Sequence, residues 1–226
     1  TDSRRMRDQY AAELLSVFEL YKANRFSISS AIVSSVVPIV TQSVAEAIRA
    51  VFDLEPLILG YPVYRLLDIK LDNPRELGCD LYATAVGALE KYPLPAVIID
   101  MGTATKITAV SRSREFLGGA IMPGLRISTD ALVDSTSLLP GVSFYAPERA
   151  ISTNTPDCMM SGVVFGAAAM LDGMYERMCE ELGERASAII TGGLASVVAP
   201  LCRTELIYDE NLLLDGLCAI LRNETN

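Results

Sequence analysis

Residues 93–123 hold three apolar runs, "PLPAVIID", "TKITAVS" and "EFLGGAIMP", separated by short polar turns. Connections that short join antiparallel neighbours, because a parallel crossover needs a dozen or more residues. The stretch is therefore expected to fold as a meander. Its first strand carries no polar position before Asp100, so it must be covered on both faces. The segments around it read as helices and β–α units, and helices supply that cover. The fold class expected is α/β with mixed sheets.

Residues 3–23 predict a helix with apolar positions at Leu14, Leu15, Phe18 and Tyr21. "SSAIVSSVVP" reads as a strand closed by Pro38, 41–52 as a helix and "LEPLILG" as a short strand. Asn73–Pro74 pairs an N-cap with proline at the first helical position, opening a helix that runs to about Tyr92. Helices are expected near 124–136 and at 156–182, the second with Thr155 as its N-cap. "ASAIITGG" is a strand ending in paired glycines, and a helix (194–202), a strand "ELIYDE" and a helix (212–222) follow. Pro93 and Pro95 mark the expected boundary between a domain 1–92 and a domain 93–226.

Composition narrows the function. The chain has 226 residues, half of them hydrophobic, enough for the core of one large or two small domains. No uninterrupted apolar run approaches the roughly 20 residues that span a bilayer. The opening "TDSRRMRDQY" reads as a helix and not a leader, so a cytoplasmic protein with no membrane partner is expected. A net charge of −9 argues against nucleic acid, which needs a basic footprint. Anionic small molecules stay open, because a glycine loop or a metal ion overrides the global sign locally. The five cysteines are scattered and form no CxxC; they read as reduced, mostly buried packing residues. The chain has no histidine. That removes Ser–His and Cys–His nucleophile pairs and histidine–metal sites. A general base must then be Asp or Glu, with Lys, Tyr or Cys behind them.

Four stretches could carry chemistry. In "AVIIDMGTATKITAV" (96–110), Asp100 ends a buried strand, where a carboxylate can hold a cation or its water shell. Gly102 lets backbone N–H groups approach an anion, and Thr103 and Thr105 add hydroxyls. Together they make a phosphate-plus-cation site, or else a tight turn with a hydroxyl-rich tip. In "IITGGLA" (189–195), a strand, Thr191-Gly192-Gly193 and a helix start suit a nucleotide, or simply a turn that needs glycine. In "NPRELGCDLYATAVG", helical spacing puts Asp80 on a face with Ala83, Thr84 and Gly87, beside a stripe of Leu77, Leu81, Ala85 and Ala88. The small face leaves room to approach a candidate base; an ordinary surface aspartate is the alternative. In "STNTPDCMMSGVVFGAAAMLDGM", Gly162, Gly166 and Gly173 give a thin helix face for close packing.

Taken in order, "SSVVP" (34–38), "DNPRELGCD" (72–80), "DMGTAT" (100–105), "FLGGAIMPGLRIS" (116–128), "TNTPDCMMSGVVFG" (153–166) and "TGGLA" (191–195) resemble the type III pantothenate kinases, of the acetate kinase, sugar kinase and actin superfamily. The resemblance implies two RNase H-like (actin-like ATPase) domains with ATP in the cleft between them. It implies ATP-dependent phosphorylation of the pantothenate hydroxyl, the first step towards coenzyme A, with Mg²⁺ and a monovalent cation, potassium or ammonium. Asp80 matches the catalytic base. Gly78, Cys79 and Leu81 lie in the pantothenate-contacting segment. Asp100 matches the cation ligand, and Thr103, with Gly102 and Thr105, the ATP phosphate contact. Thr155 matches a substrate contact near the interface of a homodimer. Thr191, Gly192 and Gly193 fall where the family holds the nucleoside.

The chain departs from the family at four places. The family's first phosphate element, an Asp-x-Gly-Asn-Thr hairpin, does not occur in the sequence: either it is lost from the chain as given, which is the expectation, or this copy does not hold ATP in the family's way. Leu81 stands where an arginine usually follows the base, Lys106 where a threonine is usual, and Leu71 where a tyrosine is expected. A non-catalytic paralogue that binds a ligand or partner, and a related acid or sugar kinase, are the other readings.

Overall fold

The computed structural model describes residues 5–63, 65–134 and 144–225. The chain is α/β with a mixed sheet, as expected, and divides into two compact units. One is drawn from Thr1–Leu66, Asp72–Gly87 and Leu213–Asn226, the other from Leu67–Leu71 and Ala88–Leu212. The division is not contiguous in sequence, because Leu67–Leu71 groups with the second unit and the last helix with the first.

In the first unit, α1 (Arg7–Leu20) lies on α2 (Pro38–Phe52), with the Phe18 and Phe52 rings 5.0 Å apart. Residues 3 and 4 of the expected first helix lie outside the described residues. Strand β1 (Ile32–Val33) pairs in parallel with β2 (Leu57–Ile58). The expected strand through Pro38 is shorter than the sequence suggested. Pro38 opens α2 rather than closing a strand, because proline's missing N–H is costless at the first helical turn. Helix α3 (Cys79–Lys91) starts later than Asn73. Asn73 does cap, its side chain accepting from Arg75 N, but the turn it caps is a 3₁₀ turn, Pro74–Glu76. The last helix, α8 (Leu212–Thr225), crosses α3 backbone to backbone. A Cβ on Gly216 would stand 1.9 Å from the Ala83 carbonyl oxygen, so only glycine fits.

The second unit is built on one mixed sheet of six strands. The predicted meander is β4 (Ala96–Met101), β5 (Ala104–Val110) and β6 (Glu115–Pro123). Beyond it, β7 (Ser187–Thr191) runs parallel to β4, and β8 (Ile207–Tyr208) parallel to β7. Strand β3 (Asp68–Ile69), which the sequence did not reveal, extends the other edge beside β6. Helix α4 (Leu125–Asp134) follows the meander; residues 135 and 136 of its expected extent lie outside the described residues.

The stretch expected as one helix at 156–182 is α5 (Thr155–Met160), a π turn (Ser161–Phe165) and α6 (Gly166–Leu182). Its N-cap is Asn154, whose Oδ1 accepts from Asp157 N at 3.0 Å; Thr155 is the first helical residue instead. The stretch Thr155–Leu182 is long and apolar enough to cross a membrane by length and composition. Here Met160, Val164, Ala168, Leu171 and Tyr175 are buried in one cluster with Val97, Ile99 and Ile190 of the sheet, so it serves as a core helix. Gly162, Gly166 and Gly173 do not make the expected close contact: a Cβ on any of them would meet nothing within 4 Å. The core cluster claims the opposite face. Of the cysteines, Cys79 and Cys179 are buried, while Cys158 and Cys218 are exposed, so burial is not their general state. Helix α7 (Ala195–Val198) and a 3₁₀ turn, Ala199–Leu201, fill the expected helix 194–202.

Candidate active site

In the second unit, strand register assembles the carboxyl end of β4. Asp100 stands opposite Lys106 on β5 and beside Thr191 on β7, and Lys106 stands opposite Ile121 on β6. Paired positions share a face, so Ile121, Lys106, Asp100 and Thr191 form one row across four strands. Lys106 Nζ donates to Asp100 Oδ2 at 3.1 Å, and the two side chains are only 20% and 16% exposed. Thr191 is buried and Ile121 is open to solvent. Gly102 and Thr103 form the exposed tip between the strands. Thr105 is one position from Lys106, hence on the opposite face of the sheet, and it is buried.

The second glycine element is brought to the same place. Gly192 has φ +103°, and a Cβ there would lie 2.5 Å from the Met101 carbonyl oxygen. Any other residue would carry both backbone strain and a clash. The backbone after β7 thus rests on the end of β4. The junction of β6 and α4 does likewise: a Cβ on Gly124 would stand 2.2 Å from the Thr103 carbonyl oxygen. Asp100, Gly102, Thr103, Thr191, Gly192 and Gly193 are therefore gathered at one end of the sheet. That spread of backbone, hydroxyls and one carboxylate suits a phosphorylated ligand.

In the first unit, Asp80 lies in the first turn of α3, where the helix dipole favours a carboxylate. Its Oδ1 accepts from Leu81 N at 2.9 Å. A Cβ on Gly78 would come within 2.6 Å of that oxygen, so the glycine keeps the carboxylate's position clear. Asp80 and Cys79 line a cavity of about 510 Å³ with residues 32–37, Val40, Val44, Ile48, Leu213, Leu214 and Leu217. Asp80 is the charged group in that lining. The strip of Ala83, Thr84 and Gly87 does not supply the space, as the sequence suggested; α8 fills it at Gly216. Room beside Asp80 comes instead from the segment after β1. Ser34 and Ser35, which offer the cavity hydroxyls, stood in the motif "SSVVP" but were given no role from the sequence. The signal available was a serine pair between a strand and a helix-opening proline.

Thr155 occupies the exposed first turn of α5, within the second unit. Beside it, Asp157 accepts from the Tyr145 hydroxyl at 2.5 Å and from Asn154 Nδ2 at 2.7 Å. These bonds hold the Asp157 carboxyl below the usual carboxylate range.

The two units thus present Asp80 in a cavity and a glycine-lined end of a sheet. The model of the type III pantothenate kinase family matches residues 1–177. A type III pantothenate kinase of Dehalococcoides mccartyi is 38% identical over 215 residues, covering 95% of this chain and 82% of that protein. The chain belongs to the type III pantothenate kinase family. Further relatives named type III pantothenate kinase agree. One from Anaeromyxobacter sp. is 38% identical over 217 residues, 96% of this chain and 85% of its own. One from Halalkalibacterium halodurans is 35% identical over 222 residues, 98% and 87%. A solved structure from Campylobacter jejuni, named for a Baf family of transcriptional activators, aligns with TM-score 0.56 at 22% identity over 76% of this chain and 74% of its own. That likeness speaks for the fold alone.

Mg²⁺ and a monovalent cation were expected from the sequence. Among the described residues no group of three His, Cys, Asp or Glu could hold a metal ion unaided. Mg²⁺ needs no such group, because it binds by one or two carboxylates plus the phosphates of its nucleotide. A monovalent cation at Asp100 fits less well, because Asp100 Oδ2 already accepts from the Lys106 ammonium.

Proposed function

We propose that this family member phosphorylates pantothenate at its primary hydroxyl with ATP, the first step of coenzyme A synthesis. The observation that carries the reading is Asp80, a single carboxylate in an otherwise apolar and hydroxyl-lined cavity, held on the first turn of a helix. In a chain without histidine, it is the group placed to accept the hydroxyl proton. Gly78, Cys79 and Leu81 flank it and form the pantothenate-contacting segment, with Thr155 as a further substrate contact. A leucine at 81 has no charge to offer the pantothenate carboxylate, so recognition there rests on shape and hydroxyl contacts.

Phosphoryl transfer depends on positioning and charge neutralisation more than on covalent help. Gly102 and Thr103 at the open tip contact the ATP phosphates, and Thr105 holds the tip from its buried face. Thr191, Gly192 and Gly193 take the nucleoside. Mg²⁺ arriving with ATP would supply charge that offsets the phosphates. The family resemblance assigns a positive charge, potassium or ammonium, to Asp100. The chain is proposed to act as a homodimer in the cytoplasm, as two RNase H-like domains divided near Pro93–Pro95. The open space beside Gly162, Gly166 and Gly173, along the helix that begins at Thr155, supports a face for a second copy. Exposed free thiols at Cys158 and Cys218 suit a reducing compartment.

The test is ATP-dependent formation of phosphopantothenate by the purified protein, followed by coupled ADP release and by mass of the product. Turnover with pantothenate and none with acetate or hexoses is the expected result. Turnover only with another acid or sugar would give the reaction to a related kinase. Ligand binding without turnover would make the protein a non-catalytic paralogue.

A further inference from the structure

We infer that Lys106 supplies, from within the chain, the positive charge for which potassium or ammonium would otherwise be needed at Asp100, so that this kinase turns over without a monovalent cation. The inference rests on the pantothenate kinase reading and sharpens it. Three observations carry it.

The first is position. Asp100 and Lys106 are directly opposed across the antiparallel β4–β5 pair, which fixes their Cβ atoms close together on one face. The lysine stem reaches the carboxylate along the strand surface, and Nζ stands 3.1 Å from Oδ2. The second is chemistry. A lysine head is a compact ammonium with three donors, the same group as free NH₄⁺ but tethered. The third is charge balance. Asp100 brings one negative charge to the row, and its neighbours Thr191 and Ile121 bring none. The Lys106 ammonium stands directly against that charge. A second cation at the same carboxylate would face Lys106 at short range in a site where both side chains are four-fifths withdrawn from water. Salt screens such a pair weakly. The residues present therefore disagree with a separate potassium site, and Lys106 explains the disagreement.

The experiment compares the protein with Lys106→Thr in sodium, potassium and ammonium chloride, by initial rates and by thermal melting. Wild-type rates should agree within about twofold across the three salts, whereas Lys106→Thr should lose on the order of tenfold in sodium and recover in potassium or ammonium. Potassium should raise the Tm of Lys106→Thr relative to sodium and leave the wild type unmoved. A wild type that needs potassium or ammonium overturns the inference and leaves the pantothenate reading standing. If pantothenate is not phosphorylated in any salt, that reading fails, and the melting data still decide: a potassium response shared by both proteins overturns the inference, and one confined to the variant upholds it. Should Lys106→Thr not fold, the salt dependence of the wild type decides by rate and by Tm.

Discussion

Gly216 lies against the carbonyl oxygen of Ala83, with no room between α8 and α3 for a single added carbon. Gly216→Ala would place that carbon 1.9 Å from the oxygen, so the helices must part. Overpacking of this kind costs about 1–3 kcal/mol. A lower Tm and a lower urea midpoint are expected. Because α3 carries Asp80, the pantothenate KM should rise as well; an unchanged Tm would show that the two helices part at little cost.

Asp80→Asn keeps the size of the side chain and removes its basicity. The expected outcome is a fall in kcat of roughly 10²–10⁴ with the fold retained. Steady-state rates alongside circular dichroism separate the two. Near-normal kcat in a folded variant would take the base role away from Asp80.

Asp209 is 7% exposed, accepts from Lys91 Nζ at 2.6 Å and Tyr92 Oη at 2.8 Å, and accepts from Asn211 N. Burial alone would raise its pKa, but these bonds outweigh it and hold the carboxyl below its ordinary value. A depressed folded pKa means stability that is complete above the unfolded value, about 3.9, and is lost as pH falls through the lower folded one. Asp209→Asn should therefore melt lower than the wild type at pH 7, and the gap should close below about pH 4. A gap constant from pH 7 to pH 3 would contradict the assignment.

Thr108 is buried in β5, and its Oγ1 is the buried side-chain polar atom without a hydrogen-bond partner among the described residues. Desolvating a hydroxyl without a partner costs about 1–3 kcal/mol. Thr108→Val replaces it with a methyl of similar shape, so a Tm equal to or above that of the wild type is expected. A clear loss of Tm would reveal a partner for that hydroxyl.

What could be read from the sequence follows from how local each cause is. The strands at 96–101 and 187–191 were legible because each has an unbroken apolar centre, Ala96–Ile99 and Ala188–Ile190, and ends at a glycine turn. Asp100 stood out for the same reason, as the first polar residue of a buried strand. Strand β3 was not legible, since two residues carry no periodicity and only pairing with β6 defines them. Pro38 suited both a strand end and a helix start, and Asn154 and Thr155 are both good caps, so neighbouring alternatives differed by little. The Asp100–Lys106 contact needed the register, which the spacing does not state. What fills the small face of α3 lies far along the chain at Gly216, and no local pattern announces it.

The π turn at Ser161–Phe165 has a consequence for how the chain is counted. Across the eight steps from Met160 to Ala168 a plain α-helix turns through about 800°, some 80° beyond two full circles. A π turn takes up one extra residue. The net rotation then falls to about 700°, some 20° short of two circles, and both residues keep nearly the same compass bearing towards the sheet. Removing one residue within 161–165 would leave an uninterrupted spiral with that bearing preserved. Adding one beyond Gly166 would swing Thr155 by about 100° around the axis. The direction in which Thr155 points is a matter of arithmetic along the backbone.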